Sequence, residues 1–472
     1  MLQVSEKDIK NRLLFDNPWW TGSISSSDEY RDYPRRDYIG SFIDLVVETE
    51  INRAVILMGP RRVGKTVMLY QTIHHLLDVG VVPINILYLS LETPVYTGKS
   101  LEQLVQMFLT EHDHEQNSRL YIFFDEIQYL KNWEVHLKSL VDSYPKYRFI
   151  ATGSAAAALK LKSQESGAGR FTDFLLPPLT FSEFLKFVNL ELLLVHESDI
   201  DRQYETTDIN KLNEQFIRYL NYGGYPEAVF SQKIQADSAR YIKSDIIDKV
   251  LLRDLPSLYG IQDIQELNSL FTTVAYNTGS EISIDELSQT SNVATNTIKK
   301  YLDYLEAAFL IRRINRVDEN ARHFSRKRHF KVYLTNPSIR AALFGPVDQE
   351  HEAMGSIAET AIFSQWLHST KFIDQLYYAR WKGGKEIDII GVEPVKQKAQ
   401  WVVEVKWTDR FYDRPGELNS IIEFTKKNKL SRIPLVTTKT ASGFKKSNDI
   451  EMEFSPCSLH CYTIGKNVLK EH

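Results

Sequence analysis

At 472 residues the chain is too long for one ordinary core, and its length suggests about two to four domains. With 43% hydrophobic and 25% charged residues it has the composition of a soluble globular protein, and no run approaches the roughly 20 apolar residues of a membrane span. The net charge of −4 excludes a globally basic nucleic-acid binder, so any nucleic-acid surface must be local.

The N-terminus lacks the basic-then-apolar layout of a signal peptide. The first informative element is Ala54-Val55-Ile56-Leu57-Met58, a short apolar run suited to a buried parallel strand. It enters Gly59-Pro60-Arg61-Arg62-Val63-Gly64-Lys65-Thr66, which matches Gly-x4-Gly-Lys-Thr. Val67 to Val79 then reads as a helix closed by Gly80. Strand, glycine loop and helix stand in the order that phosphate binding needs. Backbone N–H groups wrap the phosphates, and the positive end of the helix faces them. Lys65 is expected to reach the β- and γ-phosphates of ATP, and Thr66 to hold magnesium through its hydroxyl.

A second strand is expected over Asn85 to Leu91 and a third over Leu120 to Phe124, ending in Asp125-Glu126. An apolar strand that stops at an acidic pair is the Walker B arrangement. Asp125 is then a magnesium ligand, and Glu126 the general base that polarises the attacking water. The extra strand between the two motifs places the chain among ATPases with an additional strand in the P-loop sheet. A fourth strand, Tyr147 to Ala151, leads to Thr152-Gly153-Ser154. Ser154 is the first choice for a side chain sensing the γ-phosphate, and Thr152 the second. Arg170 follows Gly169 and is a candidate phosphate contact in cis or in trans, in the manner of an arginine finger.

From Phe181 to about Gly260 the pattern is helical, interrupted by a polar stretch near Glu197 to Asp208 that reads as a surface loop. Arg253 either reaches back towards ATP or pairs with Asp254 or a neighbour. Ser283 and Glu286 form a capping box for a short helix. Asn292 to Ala294 gives a turn. Thr295 is expected to cap a longer helix with Ile298, Leu302, Leu305 and Phe309 inward and Asn296, Thr297, Lys299 and Lys300 outward. This is a helix-turn-helix whose second helix suits a major groove. Leu310 to Ile314 starts a wing-like hairpin within a basic run from Arg312 to Lys331 that includes Arg313, Arg316, Arg322, Arg326, Lys327 and Arg328. Those charges suit phosphate contacts, although winged helices also serve protein contacts.

Further on, Glu359 lies on the apolar face of a helix from Ile357 to Leu367 and needs a partner there. Strands are expected over Leu376 to Trp381, Lys385 to Ile390 and Gln400 to Trp407, with a turn at Lys382-Gly383-Gly384. A helix over Leu418 to Lys426 and a strand over Leu435 to Thr437 follow. A helical Glu, Asp388 on a strand and Glu404-Val405-Lys406 on the next strand resemble the PD-(D/E)XK nuclease core. Ile387 stands where that name suggests proline. The resemblance implies that Asp388 and Glu404 grip a divalent metal, magnesium or manganese, beside a scissile phosphate. Lys406 would orient or deprotonate the water, and Glu359 would hold a second metal or a bound water. The other reading is an internal ion pair between Lys406 and the carboxylates. Cys457 and Cys461, the two cysteines, cannot form a disulfide framework, which fits a reducing cytoplasm. With His460 they pack three candidate zinc ligands into five residues, poor spacing for zinc.

Several stretches occur together in order: Asp125-Glu126-Ile127-Gln128, Thr152-Gly153-Ser154, Gly169-Arg170, Pro178 to Phe184, Gly223-Gly224-Tyr225-Pro226 and Leu252-Arg253-Asp254. In this the chain resembles prokaryotic AAA-type ATPases that carry a C-terminal domain long labelled as of unknown function. The resemblance implies an α/β P-loop NTPase core with a doubly wound parallel sheet over 1–180, a helical lid over 181–265 and a winged helix-turn-helix over 266–335. A restriction-endonuclease-like α/β domain would fill 336–472. The function expected is ATP hydrolysis that couples nucleotide state to DNA binding, with metal-dependent DNA cleavage as a second activity. The alternative is a nucleotide-gated DNA- or protein-binding switch that cuts nothing. The partners expected are adenine nucleotide and DNA, with no membrane and with room for a homo-oligomer.

Overall fold

The computed structural model describes residues 5–22, 29–115, 117–153, 169–200, 202–322 and 329–470. The chain divides into two compact units, Met1–Leu176 and Pro177–His472. The segments expected as lid, helix-turn-helix and C-terminal domain therefore lie in one unit. No helix of the described residues is long and apolar enough to cross a membrane.

In the first unit, β1 (Ala54–Met58) is buried along its whole length, as its unbroken apolar run requires. It is joined by β2 (Ile86–Ser90), β3 (Tyr121–Asp125), β4 (Arg148–Gly153) and β5 (Phe171–Leu175) in one sheet of order β2-β3-β4-β1-β5, with every pair parallel. The strand β4 thus lies between the strand that enters the glycine loop and the strand that ends in the acidic pair. Helices α1 (Glu6–Asp16), α2 (Ile39–Val47), α3 (Lys65–Asp78), α4 (Leu101–Glu111) and α5 (Trp133–Ser143) accompany the sheet.

Two polar devices close this unit. The guanidinium of Arg148, at the start of β4, donates to the carbonyls of Leu45, Val46 and Ile51 at 2.9, 3.1 and 3.0 Å. A buried cation at the C-terminal end of α2 meets the negative end of that helix and satisfies carbonyls that the helix leaves unpaired. The open edge of β2 is covered from the N-terminal segment. Asn17 accepts from the N–H of Tyr88 at 2.6 Å and donates to its carbonyl at 3.0 Å, while Trp19 and Trp20 donate to the carbonyl of Ile86 at 3.1 and 2.8 Å. An uncovered edge would be a template for pairing with another chain.

The second unit opens with α6 (Phe181–Phe187), begun by a buried capping box in which Thr180 and Glu183 bond each other's backbone at 3.0 and 3.2 Å. The polar stretch expected as a loop forms a hairpin of β6 (Val195–Glu197) and β7 (Tyr204–Thr206) instead. Tyr204 explains the difference, since its ring packs edge-on against Tyr462 at 5.2 Å and anchors the segment. After α7 (Ile209–Tyr222) the Gly223-Gly224 pair has a steric cause. A Cβ on Gly224 would stand 2.1 Å from the Asn336 amide, and one on Gly223 would stand 2.5 Å from the Tyr219 backbone.

Then follow α8 (Ile264–Tyr276), β8 (Glu281–Ser283), α9 (Ile284–Ser291) and α10 (Thr295–Ala307). The Ser283–Glu286 capping box forms. Thr295 does not cap α10: Ala294 is the extended residue after the left-handed Asn292, and Thr295 is already helical. The strands β9 (Ile311–Val317) and β10 (His329–Leu334) make a hairpin, with β8 on the far side of β10.

This hairpin does not stand alone. After α11 (Ser338–Phe344) and α12 (Met354–Gln365), the strands β11 (Leu376–Trp381), β12 (Lys385–Glu393) and β13 (Lys398–Glu404) form an antiparallel meander. The strand β9 pairs in parallel with β11, Arg316 opposite Tyr378 and Val317 opposite Ala379. With β14 (Leu435–Thr438), β15 (Gly443–Ser447) and β16 (Ile450–Pro456) the result is one nine-stranded sheet, β15-β16-β14-β13-β12-β11-β9-β10-β8. The core beside α13 (Asn419–Asn428) includes Ile387, Ile390, Val402, Ile421, Phe424 and Val436. The final helix, α14 (Cys457–Leu469), carries both cysteines buried.

Gly391 on β12 lies under the indole of Trp401, where a Cβ would stand 2.1 Å from the ring. Gly391→Ala is expected to destabilise the second unit by about 1–3 kcal/mol through overpacking. Urea unfolding followed by tryptophan fluorescence measures it, and an unchanged midpoint would contradict the packing described.

Candidate functional site

The glycine loop sits at the C-terminal end of β1. A Cβ on Gly59 would stand 2.2 Å from the carbonyl oxygen of Leu176, so no larger residue fits. Arg62 and Gly64 take left-handed conformations, with φ of 65° and 96°, and α3 begins at Lys65. The loop therefore turns back over the first N–H groups of the helix, the local geometry of an anion site. The Lys65 ammonium is buried and donates to the carbonyls of Gly59 and Pro60 at 3.1 and 2.9 Å.

Asp125 lies at the end of β3 with three hydroxyl donors. Thr66 and Tyr88 donate to Oδ2 at 2.8 and 2.9 Å, and Thr152 donates to Oδ1. Burial raises the Asp125 pKa and the charge of Glu126 adds to this, while the three hydroxyls oppose it. Glu126 itself is left-handed, with φ of 55°, a conformation that costs a non-glycine residue roughly 1 kcal/mol or more. Its N–H donates to Thr152 Oγ1 at 2.9 Å, and its carboxylate accepts from Gln128. One hydroxyl, that of Thr152, thus ties both acids to β4.

Ser154 lies outside the described residues. Arg170 is a correction to the expectation of a cis phosphate contact. Its carbonyl accepts from the N–H of Ala54, and β1 and β5 run parallel, so Arg170 is level with the start of β1. The loop leaves the other end of that strand, roughly 13 Å away at the usual rise per residue. The guanidinium is paired with Asp142.

A second constellation lies in the other unit. Asp388 on β12 has one ammonium at each oxygen: Lys331 Nζ is 3.3 Å from Oδ1 and Lys406 Nζ is 3.5 Å from Oδ2. Oδ2 also accepts from the N–H of Val405 at 2.9 Å. Lys331 further bonds Glu359 Oε1 at 2.8 Å and Glu386 Oε1 at 2.7 Å, and Tyr333 donates to the same Glu359 oxygen at 2.5 Å. Lys406 Nζ stands 2.8 Å from Glu404 Oε1 and 3.2 Å from the Val405 carbonyl. Glu404 Oε2 is buried and accepts no hydrogen bond among the described residues.

Glu386 also faces Arg380, at 3.8 Å. That leaves the carboxylates of Glu359, Asp388 and Glu404 against the two lysines, one negative charge in excess. The electrostatics follow. Burial, with the charge of Asp388 beside it, pushes both Glu359 and Glu404 up to about 7. Burial also acts on Asp388, but the two ammoniums outweigh it and hold its pKa below the usual value. Lys331 is pushed well up, its burial outweighed by the surrounding acids.

The metal set expected from sequence needs correction. Among the described residues no three His, Cys, Asp or Glu side chains form a group that could hold a metal ion. Glu359 meets Asp388 only across the Lys331 ammonium, on the oxygen of Asp388 that faces away from Lys406. A second set of oxygens, Asp388 Oδ2, Glu404 Oε1 and the Val405 carbonyl, converges on the more exposed Lys406 ammonium. With the unpaired Glu404 Oε2 alongside, this donor set fits a hard cation.

Lys331 and Tyr333 escaped sequence reasoning because they sit at the end of the basic run. Their signal is the alternation in His329-Phe330-Lys331-Val332-Tyr333-Leu334, which puts a lone lysine and a tyrosine on one strand face. Among the described residues of the basic run, Arg322 is exposed and the others are paired or buried. Arg312 pairs with Asp374, Arg313 with Asp303 and Glu306, Arg316 with Glu281, and Lys331 is buried. Arg326, Lys327 and Arg328 lie outside the described residues. Asn296, Lys299 and Lys300 on α10 are exposed. Arg253 is exposed within a π-helical stretch, Val250–Asp254. On α14, burial pushes the Cys457 thiol up to about 12.

A family model described as an AAA domain matches residues 51–185, and one described as a domain of unknown function matches residues 213–350. The chain is 28% identical over 295 residues to an uncharacterised protein of Haemophilus influenzae, covering 61% of this chain and 69% of that one. It is 24% identical over 412 residues to an uncharacterised protein of Methanocaldococcus jannaschii, covering 85% and 86%. Among solved structures, the Hsp104-ADP complex of S. cerevisiae aligns at 16% identity and TM-score 0.32, over 74% of this chain and 59% of that one, less than two thirds of its length. Cdc6p from Pyrobaculum aerophilum aligns at 13% identity and TM-score 0.30, over 68% and 98%. With the matched AAA model, the glycine loop and the parallel sheet, residues 51–185 are an AAA-type P-loop ATPase domain.

Proposed function

We propose that this protein binds and hydrolyses ATP at Gly59 to Thr66, and that nucleotide state governs DNA binding by the second unit. The Asp388–Glu404–Lys406 cluster would then cleave DNA. The observation that carries the ATPase reading is the bond from Thr66 to Asp125, which joins the first helical turn after the loop to the tip of β3. Thr66 and Asp125 are the residues that would hold magnesium, which shields phosphate charge when bound. Lys65 neutralises the β- and γ-phosphates once it exchanges the loop carbonyls for them. Glu126 takes a proton from the attacking water, for which its carboxylate must leave Gln128. Thr152 holds both acids in place. Ser154 keeps the role of γ-phosphate contact, and Arg170 can act only on the nucleotide of a second copy.

In the second unit, the order helix, strand, helix, turn, helix, hairpin supports a winged-helix reading. The exposed Asn296, Lys299 and Lys300 of α10 are its candidate groove contacts. Asp388 and Glu404 would hold magnesium or manganese, which polarises a phosphoryl oxygen when bound. Lys406 then moves off Asp388 to orient the water and offset the charge added to the phosphate. A second reading, a nucleotide-gated DNA-binding switch that cuts nothing, is favoured by the two lysines already set against Asp388.

Lys65→Ala and Glu126→Gln are each expected to lower ATP turnover by about 100-fold or more. Retained turnover in Lys65→Ala ends the ATPase reading. Thr152→Val should reduce turnover by about tenfold and destabilise the first unit by about 1–3 kcal/mol, because two buried bonds to the acids are lost. Phosphate release and thermal melting measure these, and wild-type values in both would remove Thr152 from the site. For the second unit, linear, circular, single-stranded and branched DNA are incubated with magnesium or manganese, with and without ATP. Cleavage is expected in wild type and not in Asp388→Ala or Glu404→Ala. Cleavage that persists in Asp388→Ala overturns the assignment, and ATP-dependent binding without cleavage leaves the switch.

A further inference from the structure

We infer that the Lys331 ammonium takes the place of a second metal ion, so that the acidic cluster of the second unit is built for one divalent cation and Glu359 acts through Lys331. The inference rests on the metal-site reading of Asp388 and Glu404 given above. Asp388 Oδ1 faces Lys331 and Oδ2 faces Lys406 and the Val405 N–H, so the two oxygens serve two separate cation positions. The first position, enclosed by Glu359, Glu386 and Asp388, is filled by an ammonium at 2.7 to 3.3 Å from one oxygen of each.

The two lysines differ in their freedom to leave. Lys406 follows the end of β13, and its side chain is 28% exposed, so it can withdraw to solvent when a metal arrives. Lys331 is 1% exposed and stands within β10, paired on one side with β9 and on the other with β8. Leaving would strand a charged group in the core at a cost of several kcal/mol. Glu359 Oε1 is already saturated. A carboxylate oxygen offers about two lone pairs, and this one accepts from both Lys331 and Tyr333. A metal at that oxygen would have to displace a buried donor. Glu359 is thus a positioning residue that fixes Lys331, and Lys331 supplies at Asp388 Oδ1 the positive charge that a second metal would otherwise supply.

The test counts manganese on nucleotide-free, full-length protein by calorimetry and by electron paramagnetic resonance, taking as specific the part lost in Asp388→Asn. Wild type and Glu359→Gln, which keeps an acceptor for Lys331 and Tyr333, are each expected to bind one ion. Lys331→Met is expected to bind two, with a resonance broadened by the neighbouring ion, and the Lys331→Met, Glu359→Gln double variant to return to one. Two ions in wild type, or one in Lys331→Met, overturns the inference. If Lys331→Met does not fold, the counts in wild type and Glu359→Gln decide alone: two falling to one makes Glu359 a ligand and overturns it. No specific manganese in wild type instead removes the metal reading of Asp388 and Glu404, a separate failure.

Discussion

Asp388 is a buried carboxylate that stays charged because two ammoniums reach it from different parts of the chain. Removing either partner would leave one ammonium among three carboxylates, a costly imbalance in the core. Strand β10, strand β12, helix α12 and the bend after β13 must therefore arrive together. Strand order separates β10 from β12 by β9 and β11, or roughly 14 Å in a flat sheet. The two side chains can meet across that distance only by reaching towards each other over β9 and β11. A slip of β12 by one residue would put Ile387 or Ile389 among the lysines and Asp388 into the apolar core. The ion cluster thus sets register as well as charge.

Asp125 meets the same problem by other means. Its partners are neutral hydroxyls from Thr66, Tyr88 and Thr152. Hydroxyls satisfy a carboxylate without cancelling its charge, and they rotate at little cost. Ammoniums cancel the charge and compete with an incoming cation. The first unit thus keeps its acid receptive, whereas the second keeps its acid guarded, with one guard free to move and the other fixed.

The parts legible in the sequence were those where local chemistry admits one answer. Gly59 must lack a Cβ because a carbonyl stands where it would be, and the octet around Lys65 announces that loop. The apolar run into Asp125 needs a buried parallel strand, and the Ser283–Glu286 box needs a helix start. What stayed hidden depends on residues distant in sequence. Arg170 reads as a phosphate contact until the register of β5 against β1 puts it at the wrong end of the sheet. Lys331 reads as one more basic residue of the run until β10 carries it inward. Thr206 and its neighbours read as a loop until Tyr204 finds Tyr462. In each case a long-range contact overrode a local pattern.

The short parallel pairing of β9 with β11 has a wider effect than its two residue pairs suggest. It erases the seam where 335 would have met 336, and the matched segment of unknown function, 213–350, runs straight across it. A piece excised after Leu334 would carry Glu359 and Asp388 without their shared counter-ion and would bare the edge of β11. The half that carries the hairpin and the half that carries the acids are thus not interchangeable cassettes: whatever bends the hairpin pulls on Asp388, and neither half can be swapped without the other.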